Sequence, residues 1–316
     1  MVGPLAALLE WQALAEGAYS ASTLRAQKSD GAIFRAFCES QGEAYLPADP
    51  KTVRAFIEDR VKAGKKPATV GRYVATISRV HTAAGLTNPC SSEAVRLGIK
   101  KMGRETSARQ DQAHPLNWKD IKEFIDCAGD GLRADRERAM LCVAYETMAR
   151  RGELVALEVK DIEFHPNGSG QALIRRGKTD AEGHGRAAYL SRTTVLWLKV
   201  WLEHPGVEEG AVFRRFIGRG QIGGALNSSS VARIFKRVAQ WIGMSARYVA
   251  SVSGHSTRVG ATQDLAALDI DLAAITQAGG WKSPRMPLQY AEKINVGRSG
   301  MARAAEKTGR DEPVSE

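Results

Sequence analysis

The chain has 316 residues, 43% of them hydrophobic, and carries a formal net charge of +10. That length allows about two domains with a substantial core. The positive excess points to a polyanion, and it is uneven: between residues 20 and 110, Lys and Arg outnumber Asp and Glu about two to one.

Cys38, Cys90, Cys127 and Cys142 are scattered, with no CxxC pair and no Cys/His cluster. They argue against a structural zinc and for reduced thiols in a cytoplasmic protein. The apolar run PLAALLEWQAL is broken by Glu10 and lacks a basic leader, so no secretory signal is expected. No apolar run is long enough for a membrane span.

In chain order, residues 1–18 read as an N-terminal arm or helix. Residues 19–104 read as a compact helical bundle with basic outer faces. Its first helix carries Leu24, Ile33, Phe34 and Phe37 after Ser22, the expected cap. Its second enters at Asp49-Pro50, carries Val53, Phe56, Ile57 and Val61, and stops at Gly64. A third follows Pro67 with Val70, Tyr73, Val74, Ile77 and Val80, and a fourth covers Ala94 to Met102. The polar stretch 105–115 reads as a linker. A second domain, 116–306, opens with helices over Trp118–Cys127 and Arg136–Met148. LEVKDIEF, QALIR and RAAYL then read as three short antiparallel strands, separated by HPNGSG and RGKTDAEGHG. Helices return after Ser191, Asn227, His255 and Asp271, and 307–316 reads as a disordered tail. The fold class is mainly α with a small antiparallel sheet.

Two polar pairs share one spacing: Arg150 with Glu153, and His255 with Arg258, each at i, i+3. Singly, each is an ordinary surface pair. Together they bring two guanidiniums, whose forks suit the oxygens of a phosphate. Lys178 lies in a glycine-flanked turn between two expected strands, where it could deliver an ammonium. Trp281 follows Gly279-Gly280, and its indole N–H can only donate. Among these groups the Tyr290 hydroxyl becomes a candidate nucleophile toward phosphorus. The chain has neither a carboxylate cluster for magnesium nor a GxxxxGK[ST] loop, so no metal and no ATP is expected.

The order Arg150, Glu153, Lys178, His255-x-x-Arg258, Trp281, Tyr290 resembles the tyrosine recombinase (phage integrase) family. SGHSTRVGATQDLA, ITQAGGW, ETMARRGELVALEVKDI and, in the first domain, YLPADPKTVRAFI and HTAAGLTNPCSSEAVRLGIKK carry the likeness, which spans about residues 20–307. It implies a helical, SAM-like core-binding bundle followed by an α/β catalytic domain. It also implies site-specific recombination of double-stranded DNA through a 3′-phosphotyrosine at Tyr290 and a Holliday junction. Four protomers would act on two sites with inverted half-sites. Arg150 and Arg258 would stabilise the pentacoordinate phosphorus, and Lys178 would protonate the leaving 5′-oxygen. His255 would be an acid/base partner or phosphate donor, Glu153 a positioning group, and Trp281 would stand where many relatives have a second His. Pro287, three residues before the tyrosine, is expected to bend or delay its helix.

The resemblance places Thr23, Arg25, Lys28 and Ser29 on one DNA-facing helix, Arg72 on another, and Arg233, Lys236 and Arg237 on a third in the second domain. Most would touch phosphates, with Lys28 one of these and Arg72 reading a base. Two rival functions remain: a type IB topoisomerase-like activity, and a sequence-specific DNA-binding protein without catalysis.

Overall fold

The computed structural model describes residues 4–106, 112–175, 185–218 and 220–310. Contacts group the chain into two units, Met1–Asp111 and Gln112–Glu316. In the first unit, α1 (Pro4–Ala15), α2 (Ala21–Ser40), α3 (Pro50–Lys62), α4 (Pro67–Ala83) and α5 (Glu93–Glu105) form a bundle. Ser20, rather than Ser22, caps α2: its hydroxyl accepts from the Thr23 amide at 3.2 Å. Asp49 caps α3, and Pro50 and Pro67 sit in the first turns of α3 and α4, where their missing N–H costs nothing. The apolar positions Phe34, Val53, Phe56, Val70, Tyr73 and Ile77 close on one core. The Phe34 and Phe56 rings meet edge-on at 5.1 Å.

The second unit begins with α6 (Trp118–Cys127), α7 (Leu132–Glu146) and the short α8 (Arg151–Val155). α7 is buried on all sides from Arg136 to Ala144 and packs along α9 (Arg192–Leu202). Strands β1 (Ile162–Phe164), β2 (Gly170–Ile174) and β3 (Arg186–Leu190) form an antiparallel sheet in that order. Ala172 pairs with Ile162 on one side and Ala188 on the other.

A second sheet, the hairpin of β4 (Arg214–Ile217) and β5 (Gln221–Ala225), was not anticipated. Its glycines lack strand propensity, but a Cβ on Gly223 would lie 2.8 Å from the Ile217 side chain. The glycine is there for packing. The remaining helices are α10 (Ser228–Trp241), α11 (Ala246–Ser251), α12 (Ser256–Ala267), α13 (Leu272–Ala278), α14 (Arg285–Tyr290), α15 (Glu292–Val296) and α16 (Gly300–Lys307). No helix among the described residues is long and apolar enough to cross a membrane.

Two features differ from the sequence reading at α7 and α14. α7 starts at Leu132 and stops at Glu146, because Met148 adopts a left-handed φ of 49°. Pro287 does not delay α14. It is the third helical residue, where the N–H is unpaired in any helix, and Ala291 N donates normally to Pro287 O at 2.9 Å.

α12 carries two of the candidate residues and is fixed at two points. A Cβ on Gly260 would lie 2.0 Å from the Leu116 carbonyl oxygen, so only glycine permits that approach. One turn later, Asp264 accepts from Asn117 Nδ2 at 2.6 Å, Trp118 N at 2.8 Å and the Tyr145 hydroxyl at 2.7 Å. Burial and this carboxylate push the Tyr145 phenol pKa upward.

Candidate active site

The site is assembled from four chain segments of the second unit. The first is the turn between α7 and α8. Arg150 stands in extended conformation just before α8. Its amide donates to Glu153 Oε2 at 2.9 Å and its Nη1 to Oε1 at 2.7 Å. Both oxygens of the nearly buried Glu153 are thus spent on one arginine. The Arg150 side chain is 25% exposed.

Two further arginines tie that turn to the Gly-Gly turn after α13. Arg258, 2% exposed, donates from Nη1 to Met148 O and from Nη2 to Gly279 O at 2.7 Å, with its guanidinium 3.9 Å from the centre of the Trp281 ring. Arg186, at the start of β3, donates to Thr147 O and to Ala278 O, the latter at 2.9 Å. Sequence reasoning missed Arg186. No motif marks it, since a cation at the first residue of a strand is commonplace.

The two glycines follow from this stapling. A Cβ on Gly279 would lie 1.8 Å from the Trp281 ring, and one on Gly280, whose φ is +61°, 2.7 Å from Arg186 Cδ. The backbone must stay bare where an indole and a guanidinium cross it.

Burial and then the Arg150 charge push the Arg258 pKa down to about 10, while Glu153 and Tyr290 oppose the shift. The group stays cationic at neutral pH. His255 stands at the N-cap position of α12, makes no side-chain capping bond and is exposed. Withdrawal of its ring from water, then the charges of Arg258, Arg151 and Arg150, lower its pKa. The shift favours the neutral imidazole, the form able to accept a proton.

Tyr290 ends α14. Its ring meets Trp281 edge-on, with centroids 6.1 Å apart, and its carbonyl accepts from Gln112 Nε2 and Gln263 Nε2, each at 3.1 Å. Among the described residues its hydroxyl has no hydrogen-bond partner. The structure thus brings Arg150, Glu153, His255, Arg258, Trp281 and Tyr290 into one neighbourhood. Lys178 lies outside the described residues.

The candidate DNA-contact residues are spread over three helices. On α2, Arg25, Lys28 and Ser29 are exposed, while Thr23 is half-buried with its hydroxyl 2.8 Å from Ser20 Oγ. On α4, Arg72 forks onto the buried Asp30. On α10, Arg233 is exposed beside Ser230 Oγ at 3.0 Å, and Lys236 Nζ donates to Ala250 O at 2.9 Å. Arg237 is committed elsewhere: it pairs with the buried Glu137, which Arg136 Nη2 also approaches at 3.2 Å.

The model of the phage integrase family matches residues 114–295. The chain belongs to this family. Over 286 residues it is 29% identical to an integrase/recombinase xerD homolog of Selenomonas ruminantium, covering 87% of this chain and 82% of that one. Over 306 residues it is 26% identical to recombinase cre of Escherichia phage P1, covering 92% and 89%. Its fold is that of the tyrosine recombinases. The Tn1549 transposon integrase, solved in complex with transposon right end DNA, superposes with a TM-score of 0.62 at 13% identity, covering 92% of this chain and 98% of that one. A lambda integrase dimer bound to a core site gives 0.55 at 18% identity, covering 90% and 94%.

Proposed function

We propose that this chain is a site-specific DNA recombinase that breaks and rejoins strands through Tyr290. The observation that carries the reading is the convergence of Tyr290, two arginines and a neutral histidine around the stapled turns at Met148 and Gly279. In the proposed step, Tyr290 Oη bonds to phosphorus as the bond to the 5′-oxygen breaks. His255 takes the phenolic proton, and Lys178 gives one to the leaving oxygen. Arg150 and Arg258 hold the non-bridging oxygens, where charge builds up in the transition state. Glu153 keeps the Arg150 fork in place, and Trp281 walls the nucleophile. The phosphotyrosine conserves the phosphoester, so reversal by a 5′-hydroxyl rejoins DNA without ATP. No divalent ion is required, since guanidiniums supply the positive charge.

The family and the DNA-bound neighbours support duplex DNA as partner. Exchange between two such sites would take four protomers, two per site on inverted half-sites, and pass through a Holliday junction. In this reading residues 19–104 bind the core site, 105–115 link, and 116–306 carry the chemistry.

The test is incubation with supercoiled plasmids bearing the chain's own sites, in excess EDTA, followed by denaturing electrophoresis. A covalent protein–DNA adduct with recombinant products is expected. Relaxation without recombinants would indicate a topoisomerase-like enzyme. Binding without an adduct would leave only a DNA-binding protein. Activity that vanished with chelation and returned with magnesium would refute the metal-free step.

A further inference from the structure

Asp30 on α2 is 1% exposed, yet it faces an arginine whose own side chain is 54% exposed. Arg72 on α4 donates from Nε to Asp30 Oδ2 at 2.8 Å and from Nη2 to Oδ1 at 2.9 Å. This is the side-on, two-point pairing that removes most of the freedom of a guanidinium. It uses two of the five N–H groups. The three that remain are the other hydrogen of Nη2 and both of Nη1. They lie on the end of the fork away from Asp30. The end edge, one N–H from each Nη, is left as two parallel donors.

The surroundings leave open space around the pair. Gly31 follows Asp30 within α2, and Gly71 precedes Arg72 within α4. Both sit in helix interiors, where glycine weakens a helix. Neither is needed for internal packing, since a Cβ at either position would meet nothing within 4 Å. On the exposed face of α4, Arg72 stands among Ala68, Gly71 and Ala75. Among these immediate neighbours Arg72 is the one long side chain.

Resting on the DNA-binding reading above, we infer that Asp30 is a positioning residue that makes Arg72 a guanine-specific reader in the major groove. Guanine offers two acceptors there, N7 and O6, matching two parallel donors. Adenine replaces one acceptor with an amino donor and is rejected. A phosphate also offers two acceptors. It would, however, meet a pair whose net charge is zero, with a carboxylate directly behind the arginine. The attraction that drives backbone contacts is largely cancelled, while the directional bonding that reads a base is retained. Among the described residues, no carboxylate is committed in this way to the exposed cations Arg25 and Lys28 on α2, and they suit phosphates.

The test is selection from a randomised duplex library by the full-length protein, read base by base. It would compare wild type, Asp30→Asn and Arg72→Lys, with thermal melting as the control for folding. Wild type should prefer guanine at one symmetric position in each half-site, by about 5- to 150-fold over the other bases. Arg72→Lys keeps a cation beside Asp30 but has no fork, and should flatten that position alone. Asp30→Asn should flatten the same position while leaving preferences elsewhere, since loss of bundle stability would weaken all positions together. The inference is overturned if guanine preference survives either substitution. It is also overturned if Arg72→Lys and Arg72→Ala weaken all duplexes equally with a smaller salt slope, which marks a phosphate contact. Specific sites selected without any guanine dependent on Arg72 would sink this inference alone. Failure to select any DNA would sink the recombinase reading as well.

Discussion

Replacing Asp264 with Ala should loosen the helix that carries His255 and Arg258. The carboxylate accepts three hydrogen bonds, from Asn117 Nδ2, Trp118 N and the Tyr145 hydroxyl. Bonds to a charged group contribute about 1.5–3 kcal/mol each. They share one acceptor and are not additive. Loss of all three, with the Tyr145 hydroxyl and a backbone amide left without partners, should cost roughly 3–5 kcal/mol. For a folding unit of about 200 residues, each kcal/mol lowers Tm by about 2–4 °C, giving a fall of roughly 6–20 °C. Tyr145→Phe removes one donor and leaves the carboxylate paired twice, so it should cost only about 1 kcal/mol. Thermal unfolding followed by circular dichroism measures both. A fall below about 2 °C for Asp264→Ala, or equal falls for the two variants, would refute the claim that this carboxylate anchors α12.

Two further predictions concern proton transfer. The folded pKa of His255 lies below its ordinary value of about 6.5. Protonation is therefore disfavoured by the fold: the group's contribution is complete above about pH 6.5 and is lost as pH falls through the lowered value. Adduct formation by wild type should lose rate on the acid side only below about pH 6.5, and His255→Gln should lack that limb. A His255-dependent inflection above that pH would contradict the assignment. Lys178→Ala should slow cleavage by about 10²-fold or more, and a substrate with a bridging 5′-sulfur, which leaves without protonation, should restore most of the rate. If the sulfur substrate is cut as slowly as the normal one, Lys178 is not the acid.

Regular helices were readable because their apolar spacing and punctuation are local. Asp49-Pro50 and Pro67 mark the starts of α3 and α4 in the sequence itself. The three-stranded sheet was readable for the same reason. The β4–β5 hairpin was not, because its glycines lack strand propensity and the contact of Gly223 with Ile217 is not visible in the sequence. The site divides along similar lines. Arg150, His255, Arg258, Trp281 and Tyr290 stand out as candidates because their order along the chain is distinctive. Arg186, Asp264 and Gly260 act through carbonyls and amides far away in sequence, so nothing adjacent to them announces their role. The fork of Arg72 on Asp30 joins residues 42 apart in sequence, and Asp30 alone looks like any helix-surface acid.

The proposed mechanism stands or falls with the Tyr290 hydroxyl as nucleophile. Adduct formed on a duplex carrying the chain's own site should be digested with protease, and the DNA-linked peptide identified by mass spectrometry, for wild type and Tyr290→Phe. One modified residue is expected, Tyr290, joined to a 3′-phosphate. Tyr290→Phe should give no adduct, with duplex affinity nearly unchanged because many phosphate contacts carry binding. Adduct on another residue, or undiminished cleavage by Tyr290→Phe, would contradict it.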